Sequence, residues 1–223
     1  MHLLRMTDSA FPVGTFSFSN GLETASHIGL VHDADTLAQY TASAARQAAF
    51  SDGVAAILAY RSAKQNDYDS IVGVDKQIML FKMNDEARLM LSRMGKKMAE
   101  LGEKLFAGDT IFPRWLADIK KGDTPGSYPV AQGIAFAIAD VEESELFASH
   151  QYGVINMILS AALRCVRVSH YDTQRILLQL SEQTEGLYER ARVMTFDDMN
   201  SFVPEMDIMA SMHEKGNMRM FMN

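Results

Sequence analysis

The chain has 223 residues, of which 48% are hydrophobic and 22% are charged, and its formal net charge is -7. This composition excludes an intrinsically disordered protein, because such chains have too little apolar surface to form a core. The acidic balance argues against nucleic acid as the main partner, since binding to phosphates requires a basic surface.

The first twenty residues are predicted to form an extended segment. Phe11, Phe16 and Phe18 lie here among one glycine, three serines and one proline. Glycine and proline favour turns and extended backbone over helix. An extended apolar segment has to be covered, and in a helical protein the cover is often a partner chain. This segment therefore indicates binding to a partner chain more than it indicates a catalytic site.

The chain from residue 34 onward has the periodicity of helices. Residues 34–64 are rich in alanine and repeat apolar side chains at spacings near three and four, which predicts one long helix. Asp33 or Asp35 is suited to cap its start, and Gly53 is a candidate interruption. The same periodicity predicts two further helices, over 67–82 and 84–106.

Glycine and proline then mark a loop-rich stretch between residues 108 and 129, with one short helix predicted over 115–121. Three more helices are predicted after it, over 130–139, 142–168 and 171–192. No stretch of useful length alternates in the manner of a strand. The sequence predicts an all-α fold, a single-domain bundle of roughly eight to ten helices across 1–223.

The C-terminal tail, residues 205–223, is rich in methionine. Met206, Met209 and Met212 recur at intervals of three, and three more methionines follow before the end. Thioethers are soft ligands, so a metal chelator is one interpretation. A stripe at this spacing is more typical of a helix face in a core or an adaptable protein interface, which is the interpretation we adopt.

Three features bear on where the protein is found. Cys165 is the single cysteine, so no internal disulfide can form, and the reducing cytoplasm is the expected compartment. No apolar stretch approaches the roughly 18 residues of a membrane span. The N-terminus lacks the basic and then apolar layout of a signal peptide. We expect a cytoplasmic protein with no membrane partner.

Known catalytic motifs are missing from the sequence. Gly95 and Lys96 lack the remaining residues of a phosphate-binding loop, and His213-Glu214 lacks the second histidine of a helical zinc protease. No serine lies in a Gly-x-Ser-x-Gly elbow, and the histidines show no metal-ligand spacing. We expect no catalytic residue and no tightly held metal. The alternative is a small helical hydrolase or ligand-binding enzyme with a pocket of three polar residues, His150, His170 and Asp172.

Several blocks of sequence, in order, carry a family resemblance. The first is the run from Asp8 to Glu23, which reads Asp-Ser-Ala-Phe-Pro-Val-Gly-Thr-Phe-Ser-Phe-Ser-Asn-Gly-Leu-Glu. The others are Glu86-Ala87-Arg88, Tyr128-Pro129-Val130-Ala131, Ser160-Ala161-Ala162-Leu163-Arg164, Gln174-Arg175-Ile176-Leu177, Pro204-Glu205-Met206-Asp207-Ile208 and the terminal Arg219-Met220-Phe221-Met222. Together these blocks resemble the urease accessory protein F (UreF) family over essentially the full length.

The resemblance implies a function without catalysis. Members of this family are all-α dimers that act as chaperones for nickel insertion into apo-urease. They bind a second accessory protein, called D or H, which bridges to apo-urease, and they recruit the accessory GTPase G. Nickel is the ion that passes through the complex, so the resemblance implies a platform that links GTP turnover to metal delivery.

The resemblance also implies partner-binding residues. The N-terminal signature and the tail supply most of them, and Arg164 falls where the family places a basic residue linked to the GTPase. The full set is Phe11, Pro12, Gly14, Gly21, Glu23, Arg164, His213, Glu214, Arg219 and Phe221. A structural turn remains the alternative for the N-terminal residues, and a structural ion pair remains the alternative for Arg164.

The chain departs from the family pattern at three places. Thr15 stands where the signature commonly has a second glycine, and Asn20 stands where it often has histidine. The loss of that histidine removes a potential nickel ligand. In the tail, Asn217-Met218 replaces an aromatic residue before Arg219.

Overall fold

A computed structural model describes residues 2–8, 10–14, 18–201, 203–214 and 220–221. Within these ranges the chain forms twelve α-helices, one 3-10 helix and no β-strand, which confirms the all-α prediction. The helices are α1 (His2–Thr7), α2 (Leu22–His27), α3 (Ala34–Phe50), α4 (Asp52–Lys64), α5 (Tyr68–Leu80), α6 (Asp85–Leu105), α7 (Ile111–Lys121), α8 (Tyr128–Ile138), α9 (Glu143–Cys165), α10 (His170–Ser181), α11 (Thr184–Ala191) and α12 (Pro204–Glu214), with the 3-10 helix at Phe196–Asp198.

The described helices outnumber the predicted eight to ten for identifiable reasons. The long helix predicted over 34–64 is broken at Ser51, whose backbone leaves the helical region at φ -121° and ψ -81°. Its hydroxyl donates to the carbonyl of Gln47 at 2.8 Å, which satisfies a carbonyl at the end of α3. The helix predicted over 171–192 is likewise two helices, α10 and α11.

Two shorter helices lie where the sequence suggested other structure. α1 occupies residues 2–7 of the segment that was predicted to be extended, and turns begin only after it. α7 starts four residues before the predicted 115–121, because Pro113 lies in its first turn, where a missing N–H costs no helical hydrogen bond. The side chain of Asp109 accepts from the N–H groups of Ile111 and Phe112 and so caps this start.

Side chains cap the starts of α3 and α6, and the sequence suggested the cap of α3. Asp33 accepts from the Thr36 N–H at 2.9 Å, and the Thr36 hydroxyl interacts with the Asp33 N–H, so the pair forms a capping box for α3. Asn84 caps α6 through the Ala87 N–H at 2.7 Å. These caps fix where each helix enters the bundle.

The helices pack into one domain with two adjoining apolar clusters. The first is centred on α4 and α8 and contains the largest fully buried side chains, which include Trp115, Phe112, Phe136 and Phe147. The second lies between α2, α3, α9, α10 and α12. α12 closes the second cluster by packing on α2 and α6, which places the C-terminal part of the chain against its N-terminal part. No described helix is long and apolar enough to cross a membrane.

Candidate partner-binding site

A buried histidine lies at the centre of the region where the chain ends meet. His213 is in the last turn of α12 and is only 4% exposed. Its Nε2 is 2.9 Å from Oε2 of Glu23 on α2, and its Nδ1 is 3.1 Å from both carboxylate oxygens of Glu86 on α6. One imidazole therefore joins three helices that are far apart in sequence.

Glu23 also holds the last described residues of the chain. Its Oε1 accepts from the Met220 N–H at 2.8 Å, and its Oε2 accepts from the Phe221 N–H at 3.1 Å. Burial acts to raise the pKa of Glu23, but the hydrogen bonds from Met220, His213 and Phe221 outweigh burial and lower this pKa below its usual value. The ionised form of Glu23 is thus the form that anchors the chain terminus.

Phe221 connects this centre to α9. Its ring is buried, and the guanidinium carbon of Arg164 lies 4.3 Å from the ring centroid, a cation–π arrangement. Next to Arg164, the carbonyl of Cys165 accepts from the Ser26 hydroxyl at 2.5 Å, which ties the end of α9 to α2. Arg164 itself is exposed, so its charge stays in contact with water and no desolvation free energy is lost.

Gly21 makes room for this arrangement. It precedes α2 with φ at +79°, in the left-handed region that favours glycine. A Cβ here would lie 3.0 Å from the Tyr40 hydroxyl oxygen and 3.3 Å from the Met206 carbonyl. The glycine therefore allows α12 to approach the start of α2, two residues before Glu23.

The other N-terminal candidates lie apart from the histidine. Phe11 packs partly buried against the first apolar cluster, while Pro12 and Gly14 are exposed in the turns after α1. Phe11 lines a cavity of about 80 Å³ that Arg164 also lines. Arg164 is thus the residue that lies between the two groups.

The remaining tail candidates are Glu214 and Arg219. Glu214 is the last residue of α12, and Arg219 lies outside the described residues. The methionine stripe of the tail divides between two faces of α12, since Met206 and Met209 are buried in the second cluster while Met212 is exposed. The two inward methionines confirm the prediction of a core-packing stripe.

The outer face of α12 is apolar. Ile208 is 53% exposed and Met212 is 47% exposed, and Met83 from the α5–α6 loop lies beside them. The three side chains line a shallow groove of about 390 Å³. Exposed apolar side chains that are grouped in a groove are typical of a protein-binding surface.

The sequence reasoning missed Glu86 as a site residue. Nothing in the spacing of the chain pairs position 86 with position 213, because the contact depends on how α12 packs on α6. A glutamate in the first turn of a helix is ordinarily explained by the helix dipole. The informative signal was its burial at 5% exposure, which only the fold supplies.

The alternative enzymatic pocket does not form. His150 is buried in α9, where its Nδ1 is 2.8 Å from Oε1 of Gln132, and burial lowers its pKa. His170 is exposed at the start of α10, and Asp172 is engaged in a capping box with Ser169. The described part of the chain also contains no cluster of three or more His, Cys, Asp or Glu side chains suited to a metal ion.

Comparison with known proteins decides the family. The UreF family model matches residues 31–181. Over all 223 residues the chain is 47% identical to urease accessory protein UreF 2 of Brucella canis and covers 91% of that protein. It is 46% identical to urease accessory protein UreF 1 of Brucella melitensis, with 92% covered. The chain belongs to the UreF family.

A more distant UreF supports the same assignment over the complete chain. The chain is 40% identical over 223 residues to urease accessory protein UreF of Yersinia pestis and covers 97% of it. The family model includes Arg164 but ends before α12, whereas the full-length matches to these UreF proteins extend over Glu23 and the tail as well. The relatives are named accessory proteins of urease.

Proposed function

We propose that this protein is a non-catalytic chaperone and scaffold for nickel insertion into apo-urease. In this role it binds accessory protein D/H and the accessory GTPase G, and it regulates the GTP-dependent delivery of nickel. It works in the cytoplasm as a homodimer, and nickel passes through the assembly as cargo without being held tightly. Family membership is the main support.

One observation within the molecule carries the partner-binding part of the proposal. The inner face of α12 is fixed on α2 and α6, which leaves Ile208 and Met212 exposed on its outer face beside Met83. A helix that is held rigidly on one side and apolar on the other is suited to dock a partner without a large loss of conformational entropy. We assign this face to accessory protein D/H.

The assignment can be tested by co-purification with accessory proteins D/H and G. The double variant Ile208→Glu and Met212→Glu changes two exposed side chains and leaves the buried face of α12 intact. We expect this variant to elute without D/H in size exclusion with light scattering, because binding would require two charges to be desolvated in the interface. Leu178→Glu on α10, which is 67% exposed, is the matched control and should still bind. Retention of D/H by the double variant would contradict the assignment.

Arg164 is proposed to couple the scaffold to the GTPase. It is an exposed cation that contacts Phe221 of the tail and lines the same cavity as Phe11 of the N-terminal segment. We expect Arg164→Ala to weaken binding of GTPase G, to alter its GTP turnover and to reduce urease activation. Arg167→Ala, an exposed arginine just beyond α9, is the control. Wild-type values for all three readouts in Arg164→Ala would remove Arg164 from this role.

A further inference from the structure

A cleft lies where α3, α9, α10 and α11 pack together. Its volume is about 320 Å³, at the lower end of the range for small-molecule sites, which is roughly 300–1,000 Å³. Ile155, Leu180 and Leu187 supply much of its apolar lining, and two arginines, Arg46 and Arg190, also line it. An apolar lining with a few polar groups is the composition typical of a ligand site.

The apolar floor of the cleft is fixed by packing. Ile155 on α9 is 2% exposed, and Leu180 on α10 is 6% exposed. Gln151, which also lines the cleft, is held on the backbone of α3. In the orientation that satisfies both of its polar groups, the amide donates to the Ala45 carbonyl at 3.0 Å and accepts from the Ala49 N–H at 3.2 Å. The floor is therefore pre-formed, and a ligand would not have to order it.

The two arginines of the cleft are neighbours. The guanidinium carbon of Arg190 on α11 lies 4.6 Å from the ring centroid of Phe50, the last residue of α3. Arg46 precedes Phe50 by four residues, and side chains at this spacing are adjacent on a helix surface. The Phe50 contact therefore brings the charge of Arg190 beside that of Arg46.

Neither of these arginines forms an ion pair within the described part of the chain, although both are exposed. The arginines that do pair with a carboxylate include Arg61, Arg88, Arg175 and Arg192. No Asp or Glu is among the described residues that line the cleft. Because two adjacent positive charges repel each other, an anion bound between them would be stabilised by both.

The chemistry of the cleft selects the class of anion. Guanidinium groups bind carboxylates through paired hydrogen bonds of fixed geometry. A small inorganic anion would leave the apolar floor in contact with water, whereas an apolar body on the same ligand would cover it. We propose that this cleft binds a carboxylate with an apolar body. Arg46 and Arg190 hold its charge, and its body lies on the floor formed by Ile155, Leu180 and Leu187.

The site is testable on the full-length chain with hexanoate as the probe. Binding would be followed through the amide chemical shifts of a nitrogen-15-labelled sample at constant ionic strength. We expect saturable shifts at the residues that line the cleft. Acetate has the charge without the body, and 1-hexanol has the body without the charge. Both should therefore bind at least tenfold more weakly than hexanoate.

Variants separate the two parts of the cleft. Arg46→Gln and Arg190→Gln should each weaken hexanoate binding about tenfold or more, because a hydrogen bond between charged groups is lost. Leu187→Ala should weaken hexanoate binding and leave acetate binding unchanged, since only the apolar body touches this side chain. Arg167→Gln, at an exposed arginine outside the cleft lining, is the matched control and should bind as the wild type does. The melting temperature of each variant reports whether the fold is kept.

Two results would overturn the site. One is an affinity for hexanoate that equals the affinity for acetate or is unchanged in Arg46→Gln. The other is a set of shifts that spread over the surface without saturation, which would show adventitious binding only. None of these measurements involves a urease accessory protein, so their failure and the failure of the proposed function are distinguishable.

Discussion

At the scale of single residues, Asp75 shows how one buried carboxylate organises a loop. It is fully buried on α5, and its oxygens accept from the Thr124 hydroxyl at 2.6 Å, the Gly126 N–H at 2.8 Å and the Ser127 N–H at 2.7 Å. These donors belong to the loop that leads into α8. The carboxylate of Asp75 therefore accepts the hydrogen bonds that these donors would otherwise make with water.

We expect Asp75→Asn to lower the free energy of unfolding by about 2–4 kcal/mol, because the amide nitrogen would face buried donors and leave hydrogen bonds unmade. Urea unfolding followed by circular dichroism measures the change. Asp69→Asn, an exposed position in the first turn of the same helix, should change stability by less than about 0.5 kcal/mol. Equal midpoints for the two variants would show that the loop does not depend on this carboxylate.

Cys165 provides a prediction about reactivity. Burial and then the nearby charge of Glu23 raise the pKa of its thiol to about 11. Because the thiolate is the reactive form, we expect alkylation at about pH 8 to be roughly 100-fold slower in the folded chain than in the chain unfolded in guanidinium. The folded rate should rise with pH up to this pKa. A rate within a few fold of the unfolded reference would contradict the raised pKa of this half-buried thiol.

At the scale of elements, the central contact between α4 and α8 depends on the absence of a side chain. A Cβ on Gly133 of α8 would lie 2.5 Å from the Ala56 carbonyl oxygen and 2.8 Å from the Tyr60 backbone nitrogen. Both atoms belong to the backbone of α4, which cannot move aside as a flexible side chain would. The two helices can therefore approach this closely only with glycine at this position.

We expect Gly133→Ala to destabilise the protein by about 1–3 kcal/mol through overpacking. Gly73→Ala on α5 is the control, because no atom lies within 4 Å of its Cβ position. This change should stabilise by about 0.5–1 kcal/mol through the higher helix propensity of alanine. Thermal unfolding compares the two variants, and the opposite order of melting temperatures would refute the close contact.

The elements also show what periodicity can and cannot predict. Most helices were located from apolar spacing and capping residues, since these signals are local. The break at Ser51 was located only approximately, with Gly53 as the candidate, because the apolar pattern continues across the break when α3 and α4 both face the core. The start of α7 was missed because Pro113 was interpreted as part of the loop-rich stretch, although proline is tolerated in a first turn.

The candidate site was predictable in part. The family resemblance supplied Gly21, Glu23 and His213 as separate positions in the two terminal segments. Their convergence depends on the packing of α12 across α2 and α6, which no spacing in the sequence encodes. Glu86 enters the site by the same packing, and for this reason it was identified only from the fold.

At the scale of the whole molecule, many exposed carboxylates are tied to helix starts. Backbone or hydroxyl hydrogen bonds at these starts lower the pKa values of four aspartates, Asp33, Asp67, Asp172 and Asp198. A carboxylate with a lowered pKa in the folded state stabilises the fold above its unfolded pKa, and this contribution is lost as the pH falls through the folded value. Asp207 acts in the opposite sense, since burial raises its pKa.

Tyrosines set the alkaline limit of the stability of the fold. Burial raises the pKa values of Tyr40 and Tyr128, and burial together with a hydrogen bond to Asp118 raises that of Tyr68. A phenol with a raised pKa in the folded state stabilises the fold below its unfolded pKa of about 10, and the contribution is lost as the pH rises further. Between the two limits, burial of His150 lowers its pKa in the folded state, so this residue adds a loss of stability as the pH falls below its unfolded pKa of about 6.5.

We therefore expect the melting temperature to be nearly constant from about pH 7 to pH 9, to fall slightly below about pH 6 and further below about pH 4, and to fall again above about pH 10. Differential scanning calorimetry across this range measures it. Asp33→Asn tests the loss of stability at low pH, because asparagine caps a helix about as well as aspartate but does not titrate. This variant should match the wild type near neutral pH and lose less stability at about pH 3. A maximum of stability near pH 4, or an acid loss equal to that of the wild type, would show that the helix-start carboxylates do not set the acid limit.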